Sequence, residues 1–248
     1  MHISKKIKLM QIKKQRGSLL SGQSDISLTT LLSSEHCQSL LNECREFRDR
    51  VYTPLTTVLI FIKQVLNPDK SCKKAVAGVI VEQLSSGKAT VSSNTGPYCK
   101  ARKRLPEDVV RELVKEVGTS ASNRVPSQWK PYGRELKVFD GSTVTMADTP
   151  ENQKVFPQHK NQKKGLGFPI LRLVAVISLI TGTVIDYAVA ANKGKGTGES
   201  SLLRSILKSI NPDDIVLGDR YYPNFFLMAD LKKNRCGWNF SWSKSEEL

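Results

Sequence analysis

The chain has 248 residues, 39% hydrophobic and 25% charged, a globular composition that excludes a disordered tail or a collagenous chain. No apolar run approaches the ~20 residues that a membrane span needs, which excludes a helical membrane protein. The 38 Lys and Arg against 23 Asp and Glu give a formal net charge of +15, a balance that points to a polyanionic partner because neutralising phosphates releases counterions.

Residues 1–44 read as a basic arm. Lys5, Lys6, Lys8, Lys13, Lys14 and Arg16 come with no acid before Asp25, and Ile7, Leu9 and Ile12 make only a weak amphipathic stripe. This is expected of a solvated or nucleic-acid-touching arm rather than a transit peptide. Residues 45–119 read as helical. Val51, Leu55, Val58, Leu59, Ile62, Val65 and Leu66 recur near the 3.6 period, with Pro54 near the helix start and Asn67-Pro68-Asp69 as its stop. Ala75, Val76, Val79, Ile80 and Leu84 mark a second helix, and Tyr98 to Leu105 a third carrying Lys100, Arg102, Lys103 and Arg104. A fourth begins after Pro106, with Glu107 and Asp108 where the helix dipole favours acids, and runs to about Val117. Residues 120–135, rich in Ser, Asn, Pro and Gly, read as a linker.

The pattern changes at Leu136. Leu136 to Thr145 alternates like a strand. Pro169 to Ile180 and Thr183 to Ala190, joined by Thr181-Gly182, read as a hairpin. A glycine-rich loop from Lys193 to Gly198 precedes a helix with Glu199 in its first turn and an apolar stripe of Leu202, Leu203, Ile206, Leu207 and Ile210. Ile215-Val216-Leu217 is a short buried strand ending at Gly218-Asp219-Arg220, and Pro223 opens one more helix. The last strand reaches the sheet through a helical crossover, so it is expected parallel to the first. The reading is an α/β ribonuclease-H-like mixed sheet over 136–237, incomplete at its C-terminal end, preceded by an all-helical domain and followed by an atypical tail, 238–248. A fifth strand and final helix are expected to be missing.

Asp140 and Asp219 each end an apolar strand. Alone, either reads as a turn-forming acid. Together, on parallel strands, they place two carboxylates at one sheet edge, where they repel unless a cation neutralises them. Oxygen-only ligands suit Mg²⁺ or Mn²⁺. The five cysteines number an odd count and lack a C-x-x-C pair, which argues against a disulfide framework or zinc site and for a reducing compartment. Gly194-x-Gly196-x-Gly198 departs from the dinucleotide pattern and reads as a flexible loop. His159 among Lys160, Lys163 and Lys164 reads as a solvated or phosphate-facing patch, and Arg102-Lys103-Arg104 as either a solvated face or a DNA-backbone contact. With only His2, His36 and His159, no Ser-His-Asp site can be built.

Val138-Phe139-Asp140-Gly141-Ser142 resembles the first catalytic aspartate motif of bacterial insertion-sequence transposases of the DDE type, of the insertion-sequence-four kind. Gly194 to Leu203 and Asp214 to Tyr222 are similar to the segments before and around the second aspartate of that family. Val51 to Leu55, Asn67 to Cys72 and Thr95 to Pro106 are similar to its N-terminal region. The resemblance covers about Arg45 to Gly237. It implies an N-terminal DNA-binding region, a ribonuclease-H-like catalytic domain, and two Asp and a Glu holding divalent ions that cut and rejoin DNA at transposon ends. Asp140 and Asp219 match the two aspartates as catalytic and metal-binding residues. Lys100, Arg102, Lys103, Arg104, Lys163, Lys164 and Arg220 are the expected DNA contacts. Terminal inverted repeats, a homo-oligomer or the full-length transposase are the implied partners, and a bacterial cytoplasmic, nucleoid-associated location follows. The family's third carboxylate lies in a Y-x-x-R-x-x-x-E-x-x-x-x-x-x-K pattern absent here, and Glu246 and Glu247 have no matching context. The expectation is a truncated transposase that binds Mg²⁺ weakly and does not cut DNA measurably; were cleavage seen, Glu199, Glu246 and Glu247 are the first substitutes to test for the missing ligand. The alternatives are a catalytically dead DNA-binding inhibitor and an unrelated basic RNA-binding protein.

Overall fold

A computed structural model describes residues 32, 34–44, 47, 51–89, 91–159, 161–163, 165–219, 222, 224–233 and 236–241. The chain forms two compact units, Met1–Pro106 and Glu107–Leu248.

The described elements of the first unit are four helices: α1 (Glu35–Asn42), α2 (Pro54–Leu66), α3 (Cys72–Ser85) and α4 (Gly96–Arg104). Their starts follow from local chemistry. Thr53 accepts from the Thr56 amide with Pro54 in the first turn, and Ser71 accepts from the Lys74 amide, each satisfying a donor that the first helical turn leaves open. Ile60, Val76, Val79 and Tyr98 form their shared core. Buried Tyr98 donates from its hydroxyl to Gln64 Oε1 at 2.7 Å, and burial pushes that hydroxyl up to about 12. The α1 helix lies within the span read from sequence as an arm. The rest of that span, including His2 and the cluster from Lys5 to Arg16, lies outside the described residues.

The second unit begins with α5 (Glu107–Asn123), which runs past the expected end near Val117. The boundary between units therefore falls before this helix, not at the Ser-rich stretch. Of the expected linker, residues 120–123 are helical, and Ser127–Trp129 and Pro131–Gly133 are single 3₁₀ turns. Packing is the reason: α5 lies against β3, and Gly118 allows the approach. A Cβ at Gly118 would stand 2.2 Å from the Val184 carbonyl oxygen. There follow β1 (Leu136–Thr145), α6 (Pro150–Val155), β2 (Ile170–Ser178), β3 (Val184–Ala191), α7 (Glu199–Ser205), β4 (Ile215–Asp219), α8 (Phe225–Lys233) and β5 (Gly237–Ser241).

The five strands form one sheet in the order β3-β2-β1-β4-β5. β1–β2 and β2–β3 are antiparallel, while β1–β4 and β4–β5 are parallel. The expected parallel neighbourhood of the two aspartate-bearing strands is present. The expected loss of the fifth strand is corrected: β5 pairs along the whole of β4, and Gly218 and Asp219 lie opposite Phe240 and Ser241. The apolar–polar alternation of Trp238-Asn239-Phe240-Ser241 is a strand pattern, and the shift in composition there obscured it. Residues 242–248, with Glu246 and Glu247, lie outside the described residues.

One face of the sheet buries Phe139, Val174, Val176, Ala188 and Val216 beneath Leu202, Leu203 and Ile206 of the α7 segment and Leu227 and Leu231 of α8. On the other face Leu136, Val138, Leu173, Ala175, Ile177 and Leu217 are only half-buried. Among the described residues no helix is long and apolar enough to cross a membrane.

Candidate active site

The register decides where the two aspartates go. Leu136, Lys137 and Val138 pair with Ile215, Val216 and Leu217. Two residues further along each parallel strand lie Asp140 and Asp219, at the same level, on adjacent strands about 4.8 Å apart. Both are exposed, which spares each carboxylate the cost of losing water. The Gly141 amide donates to Asp140 Oδ1 at 2.8 Å and draws that carboxylate back over the strand.

Glu199, which the sequence offered only as a substitute for the missing third carboxylate, and Tyr222, which it did not single out, stand beside them. Tyr222 packs edge-to-face on Phe139 with ring centroids 4.8 Å apart. A Cβ at Gly141 would stand 2.5 Å from Glu199 Cδ and 2.8 Å from the Tyr222 hydroxyl. Burial first, then the charge of nearby Glu199, and then the charges of Asp140 and Asp219 push the Tyr222 hydroxyl well above the usual phenol range. Glu199 is close, yet no bond to the hydroxyl has the geometry of a formed hydrogen bond. The signal available in sequence was Gly141 directly after Asp140, since a glycine inside a strand marks a close approach.

Behind Glu199, Arg172 of β2 donates to the Thr197 carbonyl at 3.1 Å and to Asn192 Oδ1 at 3.0 Å. It holds both ends of the glycine-rich loop and so places the first turn of α7. That loop is therefore anchored rather than free.

No ion pair with a described Lys, Arg or His joins Asp140, Asp219 or Glu199. Among the described residues no three His, Cys, Asp or Glu are gathered closely enough to form a ready metal-ligand set. The donors at hand are carboxylate oxygens, the chemistry of a hard divalent ion such as Mg²⁺ or Mn²⁺.

The expected DNA contacts are not equivalent. In the first unit Lys100 and Lys103 are exposed. Arg102 instead turns inward, donating to Gln64 Oε1 at 3.3 Å and Cys72 Sγ at 3.5 Å, with its guanidinium 4.7 Å from the Phe61 ring centroid. Arg104 lies 5.1 Å from the Phe47 ring centroid. These two arginines hold their unit together. In the second unit Lys163 is exposed, while Lys164 and Arg220 lie outside the described residues.

A mixed sheet of this order, with helices between its strands and two acids level on parallel neighbours, Asp140 midway along β1 and Asp219 at the end of β4, is consistent with a ribonuclease-H-like transposase domain. Residues 131–242 match the family model described as Transposase DDE domain, a span wholly inside the second unit. The match supports a DDE-type transposase, and such a domain implies a DNA partner. No curated protein matches the chain.

Proposed function

We propose that this chain is a transposase of the insertion-sequence-four kind, with a DNA-holding first unit and a divalent-ion site at Asp140 and Asp219 in the second. The observation that carries the reading is the β1–β4 register, which brings the two acids level on neighbouring parallel strands. Asp140 and Asp219 would hold a Mg²⁺ or Mn²⁺ ion, which when bound polarises a phosphate oxygen and activates a water or 3′-hydroxyl. The Gly141 amide orients the Asp140 carboxylate by its hydrogen bond. Lys100, Lys103 and Lys163 are exposed cations suited to phosphate contacts. The substrate is duplex DNA at transposon terminal inverted repeats, and a homo-oligomer or longer transposase is the protein partner.

A second reading is a chain that binds transposon ends without cutting them and so inhibits an active transposase.

The test uses end-labelled inverted-repeat duplex, scrambled duplex and RNA, with Mg²⁺ or Mn²⁺. Cleavage of the inverted repeat that disappears in Asp140→Asn supports the transposase. Selective binding without cleavage supports the inhibitor, and preference for RNA overturns both. Lys100→Ala and Lys103→Ala should each flatten the dependence of log K on log[salt] by about 0.9 if each neutralises a phosphate.

A further inference from the structure

Residues 157–167 belong to the connection from β1 to β2, and two glutamines shape them. The Gln158 side chain donates from Nε2 to the Gln162 carbonyl at 3.1 Å and to the Lys163 carbonyl at 3.0 Å. Its Oε1 accepts from the Gly165 and Gly167 amides at 3.2 and 3.3 Å. Both donors and both lone pairs of one amide are thus spent on the backbone of one loop. Gln153 of α6 fastens the base: it accepts from the Gln158 amide at 3.0 Å and donates to the Gly167 carbonyl at 3.0 Å and to Asp148 Oδ1 at 2.8 Å. Leu166 and Phe168 are exposed, so these bonds, more than apolar packing, give the loop its shape. What the loop carries is charge. No acid occurs between Glu151 and Asp186, whereas Lys154, Lys160, Lys163 and Lys164 crowd the first half of that span. Lys154 and Lys163 are exposed, and Lys163 is one of the two residues whose carbonyls Gln158 holds.

The place of the loop follows from the strands. β1 runs five residues beyond Asp140 to Thr145, and the next residue, Met146, donates from its amide to the Pro169 carbonyl at 2.9 Å, which closes the connection at that end of the sheet. At ~3.3 Å per residue the closure lies about 17 Å from Asp140, roughly five base-pair steps of duplex DNA. We propose that the 157–167 loop is a preformed grip on the phosphate backbone of duplex DNA, about half a helical turn from the phosphate at Asp140 and Asp219, with Gln158 as its positioning residue. The proposal rests on the reading of this chain as a DNA-acting transposase. Phosphate contacts of this kind set the register of the duplex without reading its sequence. A loop without internal bonds would have to lose backbone freedom and gather its like charges on the DNA, and the Gln158 amide has already met that cost in the fold.

The experiment measures binding of the full chain to an end-labelled duplex of scrambled sequence over a range of salt, without divalent ion. Replacing Lys160, Lys163 and Lys164 together by Ala should flatten the slope of log K against log[salt] by about 2–3, since each neutralised phosphate contributes about 0.9. Gln158→Met keeps the length of the side chain and every lysine but has no amide. It should flatten the slope by about 1–2 while the thermal midpoint stays that of the unaltered chain; a residue with only a structural role would move the midpoint and leave the slope. Trypsin should cut after Lys163 faster in Gln158→Met than in the unaltered chain, and equal rates would show that the amide does not shape the loop. An unchanged slope in the triple variant or in Gln158→Met overturns the proposal. If Lys100→Ala and Lys103→Ala still flatten the slope in that case, the reading of a DNA-binding chain stands without it. If the unaltered chain does not bind the duplex, that reading fails and the proposal with it.

Discussion

Two groups of acids on one sheet are treated in opposite ways. Asp186 on β3 is 3% exposed and Asp214, just before β4, is 4% exposed. Asp186 pairs with Arg111 at 3.2 Å and Lys115 at 3.8 Å, and accepts from the Ser209 hydroxyl at 2.6 Å. Asp214 pairs with buried Lys137 at 2.7 Å and accepts from the Asn211 amide at 2.6 Å. Lys137 also donates to the Ser209 carbonyl at 2.8 Å, so Ser209 links the two acids. Asp140 and Asp219, both exposed, have no described cationic partner. A buried charge persists only where partners replace the water it has lost. An exposed acid can stay unpaired at little cost and keep its lone pairs for a ligand. The paired acids hold the fold, and the unpaired ones are the candidate site.

This contrast can be broken by mutation. The largest effect is expected for Lys137→Met, which strands Asp214 as a buried charge; it should cost about 3–5 kcal/mol in urea unfolding. No loss of stability would show that the pair contributes nothing and that burial does not distinguish the two groups. Asp186→Asn should cost less, about 1–3 kcal/mol, because Arg111 and Lys115 are each about a third exposed and can turn to water. Gly118→Ala tests the seat of the helix that brings those two cations. Its Cβ would run into the Val184 carbonyl, so a loss of about 1–3 kcal/mol is expected. A neutral result would mean that α5 shifts without disturbing the Asp186 cluster. The smallest effect belongs to Asp140→Asn and Asp219→Asn. In metal-free buffer each should change stability by no more than about 0.5 kcal/mol. A loss as large as that of Lys137→Met would make these acids structural and erase the comparison.

Much of the fold was legible because its signals are local. The bounds of β1, the hairpin and the β4 strand follow from alternation and from runs of β-branched residues. The starts of α2 and α3 follow from Thr53-Pro54 and Ser71, whose capping bonds span three residues. Asp140 and Asp219 stood out for the same reason, as acids at the ends of apolar runs. The composition shift that concealed β5 and the serines that concealed the end of α5 misled because packing overrode local preference. Arg102 shows the same limit for charge. Within a run of basic residues it reads as surface, yet Phe61 and Gln64, about forty positions earlier, draw it inward.

By itself the sequence determined where the chain extends, coils and turns, and which two acids follow apolar runs, since hydrophobic period and capping operate over a few residues; β1 itself continues five residues past Asp140, paired with β2. Only the tertiary structure decided that Lys137 and Asp214 neutralise each other in the core, that Ser209 links them to Asp186, and that Glu199 and Tyr222 meet at Gly141. Those encounters join residues tens of positions apart. Their free energy depends on burial and approach distance, quantities that exist only once the sheet has closed.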